Sequence, residues 1–403
     1  MFLVEDLSSI CPGHIAIIGG GRWGRVLTEV LCTITPKDTI ISIYCSNNKK
    51  IVKEFVLKNK FRQNITIYND LSNLSNQNVG AIIVANAARD HEIAIQKALN
   101  ASIPVLVEKP VTISYSSTLR LVKLAQEKKI FFASGHIFLF SRYLQNFSNL
   151  VSHSGELKSI NIEWSDPLSE NRYGEQKSFD SSLPIFFDLL PHIISIISSI
   201  AGKSSIKYKK LLFLKGGSAI EIELMLDGVF CSVSLARNSD ERRRIVNVMS
   251  DQYFQLDFSQ EPGFITKGTR IMSGDDKWNI YSRPAAQMLS AFLVQSVGGQ
   301  EDPRLDNHLG LQANKLIDEI LPSYNIAMIS WLTEKLIKPV LIDDDLKYAL
   351  KEILLVNDYY SKETQPIIDN IIKVFNSDSS SYWLDRIKKA SEPFEVIGKI
   401  ALI

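Results

Sequence analysis

The sequence predicts an α/β fold: an N-terminal Rossmann domain with a doubly wound parallel sheet, then an α/β domain with a mostly antiparallel open sheet and a helical C-terminal extension. Three observations predict it. Short apolar runs alternate with helical stretches up to about residue 134, a glycine cluster separates the first run from the first helix, and strand patterns dominate beyond about Ser148.

Residues 14–19 form a continuous apolar run bounded by glycine, the pattern of a parallel strand covered on both faces. Trp23 to Ile34 then carries helical spacing through Val26, Leu27, Val30 and Leu31. Thr39–Cys45, Ile65–Tyr68, Ala81–Ala85, Val105–Val107 and Phe131–Ala133 read as further strands, with helices at Ile51–Leu57, His91–Leu99 and Ser114–Lys128. Such alternation implies right-handed crossovers and a parallel sheet. Segments 157–164, 206–214, 219–226, 229–236, 244–249 and 252–258 are β-rich, and Asp227–Gly228 between two of them signals a hairpin. A helix interrupts them near 184–200. Residues 285–320 read as helical, as do Ile326–Leu336, Leu346–Tyr359 and Ile367–Phe375, before a serine-rich linker at 376–381. The expected domains are 1–134, 135–320, with a return to the first domain near 285–320, and an extension at 321–403.

At 403 residues the chain is long enough for two domains. Its 45 basic and 44 acidic side chains nearly cancel, so neither a nucleic acid nor an anionic membrane is expected as a partner. The four cysteines (Cys11, Cys32, Cys45, Cys231) lack metal-site or disulfide spacing, so no metal is expected and a cytoplasmic location is. The start has acidic residues where a secretory leader is basic. The apolar stretch Leu183–Ala201 contains Asp188, Pro191 and His192, against a transmembrane reading.

Gly19, Gly21 and Gly24 form G-x-G-x-x-G between the first strand and the first helix. There the glycines permit a tight turn, approach of a pyrophosphate to the backbone, and close packing of helix on strand. Unpaired amides at the helix start then hold the anion, with Arg22 and Trp23 beside it. At the end of the second strand, Ser46-Asn47-Asn48-Lys49-Lys50 offers no carboxylate for a ribose 2′-hydroxyl. Ser46 and Asn47 can donate hydrogen bonds, and Arg22 and Lys49 supply charge. NADP (NADPH) is therefore expected over NAD.

Residues 81–110 lead a strand, a loop ending in His91, a helix and another strand into Glu108-Lys109-Pro110. Together with Gly135-His136-Ile137-Phe138 and Phe187-Asp188-Leu189-Leu190-Pro191-His192, this resembles the Gfo/Idh/MocA family of nicotinamide-dependent oxidoreductases over about residues 14–320. The resemblance implies an active site between the two domains, with Lys109 near nicotinamide and substrate, His192 as acid/base and Asp188 as their neighbour. It also implies a homo-oligomer joined through the second-domain sheet. Independently, an ammonium stabilises a developing alkoxide and an imidazole exchanges a proton near neutrality. Asp188 and His192, four apart, share a helix face, so the carboxylate is expected to tune or orient the imidazole. Pro110 keeps Lys109 extended at the strand end.

Glu108, Asn86 and His91 are expected at the cofactor, His91 as a cap or packing residue of its loop. His136 is a candidate for the substrate or for a packed core position, and Arg172 and Tyr173 belong to a loop that either meets the substrate or lies on the surface. Ser181-Ser182-Leu183-Pro184 departs from the glycine pair of many relatives. The expected function is hydride transfer between NADP and a carbon bearing oxygen on a small molecule, a sugar or nucleotide sugar. Two alternatives are reduction of a C=N bond, as in relatives that reduce thiazolinyl imines, and a non-catalytic dinucleotide sensor or scaffold.

Overall fold

Buried isoleucines and valines fix the first sheet. The computed structural model describes residues 11–337 except 73, 75–77, 173, 174, 178, 180–182, 280 and 282, together with 344–346, 348, 349 and 352. The order is β1 (His14–Ile18), α1 (Arg22–Ile34), β2 (Ile40–Tyr44), α2 (Lys49–Asn59), β3 (Asn64–Tyr68), β4 (Ala81–Val84), α3 (His91–Asn100), β5 (Val105–Glu108), α4 (Tyr115–Lys128) and β6 (Phe132–Gly135). All six strands pair in parallel in the order β3-β2-β1-β4-β5-β6, which places the switch point between β1 and β4, beside the glycine turn. Successive residues of β1 feed opposite cores. Ile15 and Ile17 pack with α1, while Ala16 and Ile18 pack on the α3–α4 side.

The chain leaves through a 3₁₀ turn at Ile137–Phe140 into α5 (Arg142–Ser152), then β7 (Ser159–Pro167), the small hairpin β8 (Glu170–Arg172) and β9 (Glu175–Lys177), and α6 (Ile185–Ala201). β10 (Ile206–Leu214), β11 (Ala219–Leu226), β12 (Val229–Ser239), β13 (Arg243–Met249), β14 (Tyr253–Asp257), β15 (Phe264–Lys267) and β16 (Arg270–Ser273) complete the second sheet. Its order is β10-β11-β12-β7-β13-β14-β15-β16, and only the β12–β7 pair is parallel. Asp227 and Gly228 both have positive φ and join β11 to β12, as the hairpin signal requires. One face of the sheet packs on α5 and α6; the other carries Asn161, Asn247, Tyr253 and Gln255, linked by hydrogen bonds.

α7 (Pro284–Ser296) returns to the first domain and packs on α1 and the 137–140 turn. α8 (His308–Ile337) follows and runs through the expected break at 320–321 in one helix, Pro322 included. It packs against α6, β10 and α4. No helix among the described residues is long and apolar enough to cross a membrane. Of the extension, residues 367–375 and the linker lie outside the described residues, as do most of 346–359.

Candidate active site

A cavity of about 930 Å³ runs from the glycine turn, past the end of β5, to the start of α6. At the glycine end, three residues of one motif do different work. A Cβ on Gly19, where φ is +129°, would collide with the Ala85 carbonyl, and one on Gly24 with the Gly19 carbonyl, so both allow the backbone to pack. A Cβ on Gly21 would meet nothing within 4 Å. Gly21 is the N-cap of α1, which has no side-chain cap, so its first amides face the cavity with space for an anion. Arg25, which the sequence reading passed over, pins the turn by donating to the Gly20 carbonyl (2.9 Å).

Arg22, Trp23, Ser46, Asn47 and Asn86 line this part of the cavity, as do Asn48 and Asp70. The Asp70 carboxylate accepts from the Ser72 amide at 2.8 Å. Lys49 does not line it. It begins α2 and lies close enough to the Cys45 thiol to act on it electrostatically. His91 touches the cavity wall yet is buried, its Nδ1 2.8 Å from the Pro110 carbonyl and its Nε2 3.2 Å from that of Asn86. It ties the β4 and β5 loops together, and burial holds its pKa below the usual histidine value. Glu108 is buried under Trp23 at the end of β5, and burial raises its pKa.

At the other end, Lys109 Nζ donates to Asp188 twice, to Oδ1 at 2.5 Å and to the carbonyl at 2.9 Å. An ammonium has three N–H groups, so one is left for a ligand. Asp188 Oδ2 accepts from Arg237 Nη2 at 3.1 Å. Burial alone would raise the Asp188 pKa, but Lys109 and Arg237 hold it well below the carboxylate range. Of the expectation that Asp188 tunes or orients His192, only the tuning holds: its charge raises the imidazole pKa, but both carboxylate oxygens serve cations and His192 Nδ1 is buried without a hydrogen-bond partner among the described residues. The imidazole is held by rings instead. It stacks on Trp164 (centroids 5.4 Å, 16°) and meets Phe138 edge-on (4.9 Å, 88°). Burial and then the charge of Lys109 push its pKa well below 6.5, with Asp188 opposing them.

Arg244 lies over Trp164 (3.8 Å to the centroid) and pairs with Asp166. Trp164, Arg237 and Arg244 were missed in the sequence. All three occupy inward positions of strands whose other inward residues are apolar: Ile160 and Ile162 before Trp164, Val233 and Leu235 before Arg237, Val246 and Val248 after Arg244. A charged residue in that register was the available signal.

For His136 the substrate expectation is corrected in favour of the packed core position. It is buried away from the cavity with Nδ1 2.9 Å from Ser195 Oγ, and burial lowers its pKa to about 4. Arg172 ends β8, but its side chain, like the whole of Tyr173, lies outside the described residues.

Residues 14–136 match the profile of the Gfo/Idh/MocA family, described as an oxidoreductase family with a NAD-binding Rossmann fold. The match covers the first sheet and its helices, about a third of the chain. The inositol 2-dehydrogenase of Corynebacterium glutamicum is 26% identical over 161 residues, 36% of this chain and 48% of that protein. The chain thus spans about half the length of the curated relatives it matches. Among solved structures, a UDP-N-acetylglucosamine 3-dehydrogenase from Acidithiobacillus ferrooxidans superposes with a TM-score of 0.61 at 17% identity, over 76% of this chain and 95% of that one. A 3-ketoreductase from Actinomadura kijaniata, in complex with TDP-benzene and NADP, gives 0.61 at 16%, over 76% and 95%. These likenesses show that the chain shares the fold of these two proteins.

Proposed function

We propose that the protein is an NADP-dependent oxidoreductase acting on a carbon bearing oxygen in a sugar or nucleotide sugar. The observation that carries this reading is one cavity with bare, uncapped helix amides at Gly21 and, further along, the lysine ammonium of Lys109 and the imidazole of His192. The residues fit a dinucleotide: Gly21 leaves room for a pyrophosphate, and Arg22, Ser46 and Asn47 would meet a ribose 2′-phosphate. When bound, the nicotinamide accepts or supplies the hydride.

Lys109 would donate its remaining N–H to the substrate oxygen and stabilise the charge that grows there during reaction. His192, on the same cavity, would exchange the coupled proton with the substrate oxygen. Arg242 and Arg283 on the cavity wall suit a substrate carrying a phosphate. Relatives named as sugar or sugar-nucleotide dehydrogenases support the substrate class. The outward face of the second sheet supports a homo-oligomer, and four unpaired cysteines suit the cytoplasm.

The test is nucleotide titration followed by a substrate panel. NADPH should bind more tightly than NADH, Arg22→Ala should remove most of that preference, and a nucleotide sugar should be oxidised. Tighter binding of NADH would overturn the cofactor assignment, and binding without turnover on any alcohol, ketone or imine would overturn the enzymatic reading.

A further inference from the structure

Tyr348 and Glu352, beyond α8, join a buried hydrogen-bonded group behind Asp188. Tyr324 Oη, on α8, donates to Glu352 Oε1 at 2.6 Å. Arg237, on β12, donates from Nη1 to Tyr348 Oη at 3.2 Å and to the Leu183 carbonyl at 3.0 Å, and from Nη2 to Asp188. Asp188 holds Lys109. Tyr324, Glu352, Tyr348 and Arg237 are all buried, and the Phe179 ring covers the guanidinium at 4.6 Å. We propose that Tyr348 and Glu352 are positioning residues that set the placement of the Lys109 ammonium through Arg237 and Asp188.

Three physical points carry this. The Arg237 side chain is 1% exposed and its Nε has no hydrogen-bond partner among the described residues, so its charge depends on the oxygens that meet its two terminal nitrogens. Asp188 supplies one side; the opposite side is supplied by Leu183 and by Tyr348 from the C-terminal segment. If Tyr348 Oη is lost, Arg237 keeps fewer anchors and so does the carboxylate that fixes Lys109. A chain of this kind is also a costly way to stabilise a core, since apolar residues of equal volume usually do as well.

The charges of the cluster agree. Lys109 and Arg237 give +2 and Asp188 and an ionised Glu352 give −2, so the cluster is neutral; protonating Glu352 leaves it at +1. Burial raises the Glu352 pKa to about 7, opposed by Tyr324 from α8, Arg237 from β12 and Tyr348 from its own segment. Burial likewise keeps both tyrosines neutral. The charge behind Lys109 therefore changes around neutral pH.

The consequence for turnover rests on the oxidoreductase reading, but the link itself can be read without substrate or nucleotide. Full-length wild type, Tyr348→Phe and Glu352→Gln are labelled with a trace of acetic anhydride across pH 6–9, and acylation of Lys109 is compared by peptide mass spectrometry with that of surface Lys158 in the same molecule. Lys109 should label several-fold faster relative to Lys158 in both variants. The wild-type profile should carry an inflection near pH 7 that Glu352→Gln lacks. Leu346→Ala, which loosens the same segment without touching the hydrogen-bond chain, should lower the melting temperature and leave the Lys109 ratio unchanged. An unchanged ratio in folded Tyr348→Phe, which keeps the ring and loses one oxygen, overturns the proposal. So does an equal change in Leu346→Ala, which would make the effect one of packing.

Discussion

Replacing Asp188 by Asn keeps the shape of the carboxylate and removes its charge from between two cations. Lys109 and Arg237 each lie within 3.1 Å of an Asp188 oxygen, so the variant leaves two ammonium-type charges facing an amide. Removing one partner of a buried ion pair costs about 3–5 kcal/mol. Here the lower end applies. The Asp188 and Lys109 side chains are 28% and 18% exposed toward the cavity, and solvent screens part of the repulsion. A loss of about 3 kcal/mol corresponds to a fall in melting temperature of roughly 6–12 °C for domains of this size. The pH dependence follows from the depressed pKa of Asp188. Its stabilisation is complete well above the unfolded carboxylate value near 3.9, declines as pH falls below that value and is gone below the much lower folded value. Calorimetry at pH 7, 5 and 3.5 should therefore show the same gap between wild type and Asp188→Asn at the first two and a smaller gap at the third. A gap below about 1 kcal/mol at pH 7, or one that already closes between pH 7 and 5, would refute the reasoning.

Gly21→Ala should melt within a degree or two of wild type because its methyl meets no atom, yet should bind NADPH at least tenfold more weakly by fluorescence titration, whereas Gly19→Ala should fold poorly. With an alcohol substrate, the acid limb of the rate profile should fall well below pH 6.5, since His192 is already neutral there, and His192→Gln should cost roughly 10²–10⁴ in kcat; a limb at or above 6.5 would assign the base elsewhere. The raised Glu352 pKa means stability falls as pH rises from about 4.5 to about 7. Glu352→Gln should abolish that slope and gain on the order of 3 kcal/mol relative to wild type by pH 8; chemical denaturation at pH 5 and 8 checks it.

The parallel sheet was legible because strands covered on both faces are apolar along their length, as β4 is and as β1 and β5 are apart from His14 and Glu108 at their ends. β15 and β16 went unread: both are four residues long, at the sheet edge, and carry Lys267 and Arg270 at their turn. Lys109 and His192 were legible because each sits in a contiguous run of residues. Adjacency in sequence does not tell which way a side chain points, which is why His136 turned out to face Ser195 and Lys49 to start a helix. Arg237 and Tyr348 were out of reach for a further reason. Their roles depend on a meeting of β12 with a segment more than a hundred residues later, and no local spacing encodes it.

The return of α7 to the first sheet has a consequence for how the protein is made. Met288, Leu289, Phe292 and Leu293 cover the outer side of α1 together with Leu27 and Phe140, so the leading half of the polypeptide leaves the ribosome with that flank still uncovered. A fragment ending at residue 136 would present a greasy surface to the cell and be prone to clump. Grafting this nucleotide-binding half onto another protein would therefore mean transplanting two separate stretches of chain.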